Sequence, residues 1–156
     1  MKINFTLNYK EIEIEINPLM RTLDLLRKEF GLFATKEGCG DGECGACAII
    51  LDDKIVNSCM VPVANIHGKE IVTIEGLEKT ERYSILKKSF EDAGAVQCGF
   101  CIPGMMMAAE ALFRRHKTPT LEQIKEGISG NLCRCTGYNM IIEAIELAAE
   151  RGKEIW

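Results

Sequence analysis

The stretch GCGDGECGAC, residues 38–47, contains three closely spaced cysteines, and a fourth follows in the next segment of the chain. These four residues, called here the first thiol group, are Cys39, Cys44, Cys47 and Cys59. Their spacing, C-x4-C-x2-C…C, is the plant-type arrangement of thiolate ligands for a [2Fe–2S] cluster. We therefore predict that this stretch forms an iron-binding loop on the edge of a small domain.

Glycine is the other marked feature of this loop. Four glycines are interleaved with its cysteines: Gly38, Gly40, Gly42 and Gly45. Glycine reaches positive φ freely, so successive backbone N–H groups can turn toward one anionic centre. Hydrogen bonds to the sulfurs offset the negative charge of a thiolate-bound cluster. The glycines are therefore predicted to shape the cluster loop.

The remaining cysteines lie in the second half of the chain, in the motifs CGFC and CRC. They form the second thiol group: Cys98, Cys101, Cys133 and Cys135. The eight cysteines thus divide into four and four with none left over. A second four-thiolate iron centre is the corresponding prediction.

Zinc is the alternative to iron, because it also takes four thiolates and commonly uses Cys-x2-Cys pairs. The four-residue gap and the many glycines of the first loop depart from the usual zinc-ribbon spacing. The second group also needs a Cys-x-Cys pair about thirty residues after CGFC. These features favour iron–sulfur over zinc, and zinc stays open as the second interpretation.

Disulfides are a further alternative in a short, cysteine-rich chain. The N-terminal stretch MKINFTLNYKEIEIEIN is interrupted by charge and lacks the apolar region and small-residue cleavage site of a secretion signal. A cytoplasmic, reducing location is therefore expected, in which clustered thiols bind metals more often than they form disulfides.

Length and charge exclude several classes of function. The 156 residues suffice for two small domains, and the formal net charge of −4 gives no electrostatic reason to expect nucleic acid. The longest uncharged stretch, residues 93–109, is shorter than the about 18–20 apolar residues of a membrane span and is broken by glycine and proline. No membrane span is predicted.

The first half has the pattern of a small α+β unit. Apolar residues alternate over residues 3–7 and again over residues 12–16, which predicts a β-hairpin. Thr22 is predicted to cap a helix that ends near Gly31. Two further strands are predicted at residues 48–51 and 71–74.

The second half is helical in pattern, and the charged residues 76–83 are predicted to separate the two domains. Pro103 suits the start of one helix, and Thr120 with Gln123 predicts a capping box at the start of another. Three consecutive methionines, residues 105–107, point in different directions on a helix, so at least one is expected to lie off the bundle core. Burial is the favoured interpretation for them, and a soft surface for a partner is the alternative. The second thiol group is predicted to occupy turns between helices.

Together these motifs resemble one protein family. The stretches are KEGCGDGECGAC with the later Cys59, TIEGL, AVQCGFCIPGMMM and GNLCRCTGY, in this order along essentially the whole chain. They resemble the small iron–sulfur subunit of the molybdenum hydroxylases, the xanthine oxidase family. The resemblance implies an α+β fold: a plant-type ferredoxin-like β-grasp domain, residues 1–76, followed by an all-α four-helix domain, residues 84–156.

The resemblance also implies cofactors and ligands. The first thiol group is expected to hold an outer [2Fe–2S] cluster and the second an inner one. Gln97 and Cys135 match the positions that lie near the molybdopterin of a large catalytic partner subunit. An FAD-binding subunit is the expected onward partner, and the absence of flavin and molybdenum domains within these residues implies a complex of separate subunits.

The function implied is an electron relay in an oxidoreductase complex. Substrate oxidation at molybdenum would release electrons that pass singly through the two clusters to a flavin subunit or another acceptor. Catalysis on the substrate itself is expected on another subunit, so no catalytic residue is assigned in this chain. A free-standing soluble [2Fe–2S] ferredoxin is the alternative function, and it predicts a fully polar surface, whereas an obligate subunit should expose an apolar patch around the inner-cluster side.

Overall fold

A computed structural model describes all residues 1–156 of the chain. Its first half contains one mixed five-stranded sheet, with strands β1 to β5 in the spatial order β2-β1-β5-β3-β4. The strands are β1 Lys2–Leu7, β2 Lys10–Glu15, β3 Ala48–Leu51, β4 Lys54–Asn57 and β5 Glu70–Val72. Only the β1–β5 pair is parallel, and the other three pairs are antiparallel.

Two tight hairpins build the ends of this sheet. The predicted β1–β2 hairpin is confirmed, and Asn8 and Tyr9 at its turn have φ of 48° and 69°. Asp52 and Asp53 repeat this geometry between β3 and β4, with φ of 46° and 66°. Paired left-handed residues match the right-handed twist of the flanking strands. Strand β4 was not predicted, because its sequence KIVN is too short to give a clear alternation.

The helix after β2 differs from its prediction at its N-terminus. Helix α1, Thr22–Asp24, continues directly as one turn of π-helix, Leu25–Glu29. The prediction that Thr22 caps it is wrong, because Thr22 is itself the first helical residue. Its hydroxyl donates a hydrogen bond to the Val61 carbonyl oxygen at 2.8 Å and so ties α1 to the segment after Cys59.

Five further helices follow the sheet: α2 Ile74–Leu77, α3 Glu81–Asp92, α4 Ile102–Arg115, α5 Leu121–Ile128 and α6 Asn139–Arg151. The strand predicted over residues 71–74 was therefore too long, since Ile74 begins α2. The capping box of Thr120 and Gln123 at α5 is confirmed. Helices α3 to α6 form the four-helix part of the chain, and both thiol-bearing turns of the second group lie between them.

Helix α4 contains ten consecutive buried residues, 104–113. Met105, Met106 and Met107 are all buried, with at most 4% of their surface exposed, which confirms burial over an exposed partner surface. All three belong to one hydrophobic core, so the expectation that one lies off the bundle core is wrong. Helix α4 packs against α5 on one side and against strands β3 and β4 on the other, which buries it all round. Ala48 and Ile50 of β3 therefore share one hydrophobic core with the helices.

A second core of nine buried residues lies on the other face of the sheet, between the β1–β2 hairpin and the first helical segment. Phe5 packs edge-on against Phe30 there, with ring centroids 6.2 Å apart. No helix in the structure is both long enough and apolar enough to cross a membrane.

A charged network lies beside α4. Glu110 is 1% exposed and accepts hydrogen bonds from the Nε atoms of Arg82, at 3.0 Å, and Arg114, at 2.9 Å. Arg114 also pairs with Asp53 in the β3–β4 turn. The Arg82 guanidinium lies over the indole of Trp156, 4.9 Å from the ring centroid. Glu110 thus joins α3, α4 and the sheet through two cations.

Glu110→Gln is expected to destabilise the fold by about 3 kcal/mol, because removing one member of a buried charge network leaves its partners uncompensated. The measurement is the shift of the urea unfolding midpoint at equal cofactor content. Glu122→Gln is the matched control, since its pair with Lys125 is exposed and should contribute less than about 1 kcal/mol. Equal shifts for the two variants would contradict a stabilising role for the network.

Candidate metal centres

The first cysteine loop is wrapped around the sulfur of Cys39. The backbone N–H groups of Asp41 and Glu43 donate to Cys39 Sγ at 3.3 Å each, and that of Cys44 donates at 3.4 Å. Gly42, with φ of 77°, adopts the left-handed conformation that turns these N–H groups inward. This is the array of N–H donors that the glycine pattern predicted.

The first thiol group is arranged as two pairs. The side chain of Cys39 is in hydrogen-bonding contact with that of Cys44, and Cys47 is in contact with Cys59. Cys59 is brought to the loop by a 3-10 turn whose Ser58 donates through both N and Oγ to the Cys47 carbonyl oxygen. Cys47 and Cys59 are buried, whereas Cys39 is exposed.

The second thiol group has the same two-pair arrangement. Cys98 contacts Cys135, and Cys101 contacts Cys133, so each pair joins the turn before α4 to the turn before α6. Cys98 and Cys135 are exposed, and Cys133 is buried. The Thr136 hydroxyl donates to Cys133 Sγ at 3.1 Å. One pair of this group therefore faces solvent and the other faces the interior.

The acidity of the thiols follows their surroundings. Backbone N–H donors, led by those of Asp41 and Glu43, lower the pKa of Cys39 to about 7. Burial, with contact to Cys133, raises the pKa of Cys101 to about 12. Burial also opposes ionisation of Cys133, but the Thr136 hydroxyl and N–H groups outweigh it and lower the pKa of Cys133.

Three further thiols have shifted pKa values: Cys98, Cys135 and Cys59. The N–H of Phe100 and contact with Cys135 lower the pKa of Cys98, and the same contact with Cys98 raises the pKa of Cys135. Burial, with contact to Cys47, raises the pKa of Cys59 to about 11. Each group thus contains thiols that ionise readily and thiols that need a metal to displace their proton.

The donor set fits a [2Fe–2S] cluster. Such a cluster has two irons held by four thiolates in total, so its ligands come as two pairs. Both thiol groups have this form, and no set of three or more His, Cys, Asp or Glu side chains is placed around one point as a single metal ion requires. The N–H groups directed at Cys39 also suit the negative charge of a thiolate-bound cluster.

The residues predicted to lie near a partner cofactor are on the surface. Gln97 is exposed beside Cys98, and Cys135 is exposed in contact with Cys98. Three large apolar side chains within two residues of a cysteine of the second thiol group in the sequence are about half exposed: Val96, Phe100 and Leu132. The polar surface that a free-standing ferredoxin predicts is therefore not found around the second thiol group.

Two site features were missed by the sequence reasoning. Asn131 is buried and its Nδ2 donates to the Gly45 carbonyl oxygen at 3.1 Å, linking the two cysteine loops. Thr136 is the hydroxyl donor to Cys133. Their positions within GNLCRCT, directly beside the cysteines, were the available signal, but nothing in the local spacing indicates which sulfur or carbonyl each would contact.

Two family models match almost the whole chain. The model described as "2Fe-2S iron-sulfur cluster binding domain" matches residues 5–71, and the one described as "[2Fe-2S] binding domain" matches residues 73–146. Each match contains one complete thiol group.

Known proteins with similar sequences cover almost the whole chain. The nicotinate dehydrogenase small FeS subunit of Eubacterium barkeri is 46% identical, over 96% of this chain and 95% of the relative. The xanthine dehydrogenase iron-sulfur-binding subunit of Escherichia coli O157:H7 is 41% identical, over 92% of this chain and 91% of the relative. These relatives are separate small subunits of similar length.

Solved structures share the fold. A chain of quinoline 2-oxidoreductase from Pseudomonas putida 86 superposes with a TM-score of 0.91 at 39% identity, over 99% of this chain and 97% of that one. Aldehyde oxidoreductase from Desulfovibrio gigas gives 0.89 at 34% identity, but there the match is 17% of a much longer chain. This chain therefore belongs to the family of small [2Fe–2S] iron–sulfur subunits of the molybdenum hydroxylases.

Proposed function

We propose that this chain relays single electrons inside a molybdenum hydroxylase, from a molybdopterin-binding partner through two [2Fe–2S] clusters to a flavin-binding subunit or another acceptor. The observation that carries the proposal is the pair of four-thiol groups, each arranged as two facing pairs in one compact chain. When bound, each cluster accepts and releases one electron at a time.

The ligand assignment is part of this proposal. The first thiol group would hold the outer cluster within residues 1–76, and the second would hold the inner cluster within residues 84–156. In each group the main chain contributes N–H donors, and buried cysteines keep water from one side of the site. These contacts stabilise the thiolate form of the ligands and so set how readily the centre takes an electron.

The exposed end of the second thiol group is the proposed point at which electrons arrive. Gln97 and Cys135 would face the molybdopterin of the large subunit, with the half-exposed Val96, Phe100 and Leu132 packing against that partner. Apolar side chains at such a surface favour a permanent subunit contact over a polar shuttle surface. A reducing, cytoplasmic location suits thiolate ligands, which must stay reduced to bind iron.

The proposal is tested by the metal content and redox spectra of the aerobically purified complex. We expect this chain to account for about four irons and four acid-labile sulfides, because each [2Fe–2S] cluster contributes two of each. Dithionite reduction should give two distinguishable electron paramagnetic resonance (EPR) signals. About two zinc ions without sulfide or signal would instead identify a structural zinc protein.

The ligand grouping is tested by Cys135→Ser and Cys39→Ser, one variant in each thiol group. Serine removes one thiolate, so each variant is expected to weaken only the EPR signal of its own group. The readout is the EPR spectrum of the reduced complex with its iron content. Loss of the same signal in both variants would overturn the division of the cysteines into these two groups.

Thr136→Val is expected to lower the reduction potential of the inner cluster by about 20–60 mV, since one hydrogen bond to a ligating sulfur is lost. A redox titration followed by EPR measures this shift. Thr118→Val is the matched control, because Thr118 is exposed on the loop after α4 and should leave both potentials unchanged. An unchanged inner potential in Thr136→Val would show that this hydroxyl does not tune the site.

A further inference from the structure

A lysine beside the first cysteine loop contacts the turn of the second thiol group. Lys36 precedes Cys39 by three residues, and its Nζ lies over the ring of Phe100, 5.4 Å from the ring centroid. A cation is attracted to an aromatic face within about 6 Å of the centroid. Phe100 lies between Cys98 and Cys101, and its backbone N–H donates to the sulfur of Cys98. The first half of the chain thus places a cation beside a turn that carries two of the second group's thiols.

Main-chain contacts fix the segment from which the Lys36 side chain extends. Thr35 is buried, and its carbonyl oxygen accepts a hydrogen bond from Arg27 Nη1 at 2.9 Å. The N–H of Lys36 donates to the carbonyl oxygen of Ala46 at 3.2 Å, within the first cysteine loop. The backbone at Lys36 is therefore held in place, and only the side chain has to be ordered to bring its ammonium to Phe100.

No carboxylate neutralises this ammonium. Lys36 takes part in none of the ion pairs of the structure. The adjacent Glu37 pairs instead with Arg21, whose Nη1 lies 2.7 Å from Glu37 Oε1. Lys36 is partly buried, whereas Arg134, the cation within the CRC motif, is exposed. Water and salt screen an exposed charge more than a partly buried one, so the field of Lys36 is less weakened by solvent.

An unpaired cation at this position affects how readily the centre takes up an electron. Reduction of a [2Fe–2S] cluster adds one negative charge, which a nearby cation stabilises by Coulomb attraction. The reduction potential is therefore raised. Phe100 is about half exposed and belongs to the surface proposed to meet the large subunit. A partner that covers Phe100 would exclude water there, and the lower dielectric would strengthen the attraction.

We propose that Lys36 raises the reduction potential of the inner cluster, and that Phe100 is the positioning residue that holds its ammonium there. The inference rests on the proposed function, since it requires an inner cluster. In the step concerned, one electron delivered by the partner's molybdenum centre enters the inner cluster, and no bond is formed or broken. The raised potential favours this uptake, which is the first transfer within the chain.

The experiment compares Lys36→Met and Lys36→Arg with the unaltered chain, each purified with its partner subunits. A redox titration followed by EPR measures the potential of each cluster. In Lys36→Met, the ratio of reduced to oxidised inner cluster at a fixed applied potential is expected to fall about threefold to tenfold, where tenfold is about 59 mV for one electron. The outer potential should shift clearly less. Lys36→Arg should keep the inner potential, because arginine retains the charge and also stacks on aromatic faces.

Lys10→Met is the matched control. Lys10 is exposed at the start of β2, and it forms no ion pair. Strands β1 and β5 lie between β2 and β3, the strand that follows the first cysteine loop. The control removes the same unit charge from the chain, and both potentials should remain those of the unaltered complex.

The outcomes separate the inference from the function on which it rests. Absence of two clusters in the unaltered complex overturns the proposed function. Two clusters with an unchanged inner potential in Lys36→Met overturn the inference alone. Equal shifts of both clusters, or the same shift in Lys10→Met, would do so as well, because each indicates a general effect of net charge.

The remaining outcomes distinguish charge from packing. A shift in Lys36→Arg as large as that in Lys36→Met would show that the shape of the side chain matters and its charge does not, which overturns the inference. If Lys36→Met loses a cluster, Lys36→Gln decides by the same titration. Loss of a cluster in both neutral variants would assign Lys36 to stability and would also overturn it.

Discussion

Convergence of four sulfurs from distant parts of the chain is the constraint on which the rest of this structure depends. In the first thiol group, Cys59 reaches the glycine-rich loop through a turn tied to Cys47 by Ser58. In the second, the turn before α4 must meet the turn before α6. No short segment supplies all four sulfurs of either group. Metal binding and folding are therefore coupled, because neither group is assembled until the surrounding elements pack.

Charge is the second consequence of this convergence. Thiolates held close together repel one another and lose hydration when buried, so they need fixed dipoles close by. The chain supplies main-chain N–H groups around Cys39 and a hydroxyl at Cys133. Each group has an exposed side, at Cys39 or at Cys98 and Cys135, and a buried side, at Cys47 and Cys59 or at Cys133. In the second group the thiols therefore run from an exposed, partly apolar surface at Cys98 and Cys135 to the buried Cys133.

Helix α4 packs against both halves of the chain. It is buried all round because β3 and β4 cover one side and the other helices cover the rest. Its first turn follows Cys101 and contains Gly104, against which the Gly45 main chain lies. Its middle carries Glu110, whose two arginine partners reach α3 and the sheet. The relative position of the two thiol groups is thus set by one helix that contacts both halves.

The sequence by itself determined the local features. Cysteine spacing and glycine content predicted the N–H-lined loop, alternation predicted the first hairpin, and Thr120 with Gln123 predicted a capping box, because each depends only on residues a few positions apart. The tertiary structure alone decided which thiols face each other, the hydrogen bond of Thr22 to the Val61 carbonyl oxygen and the contact of Asn131 with Gly45. These contacts join segments far apart in sequence, so their geometry depends on how the sheet and helices pack around α4.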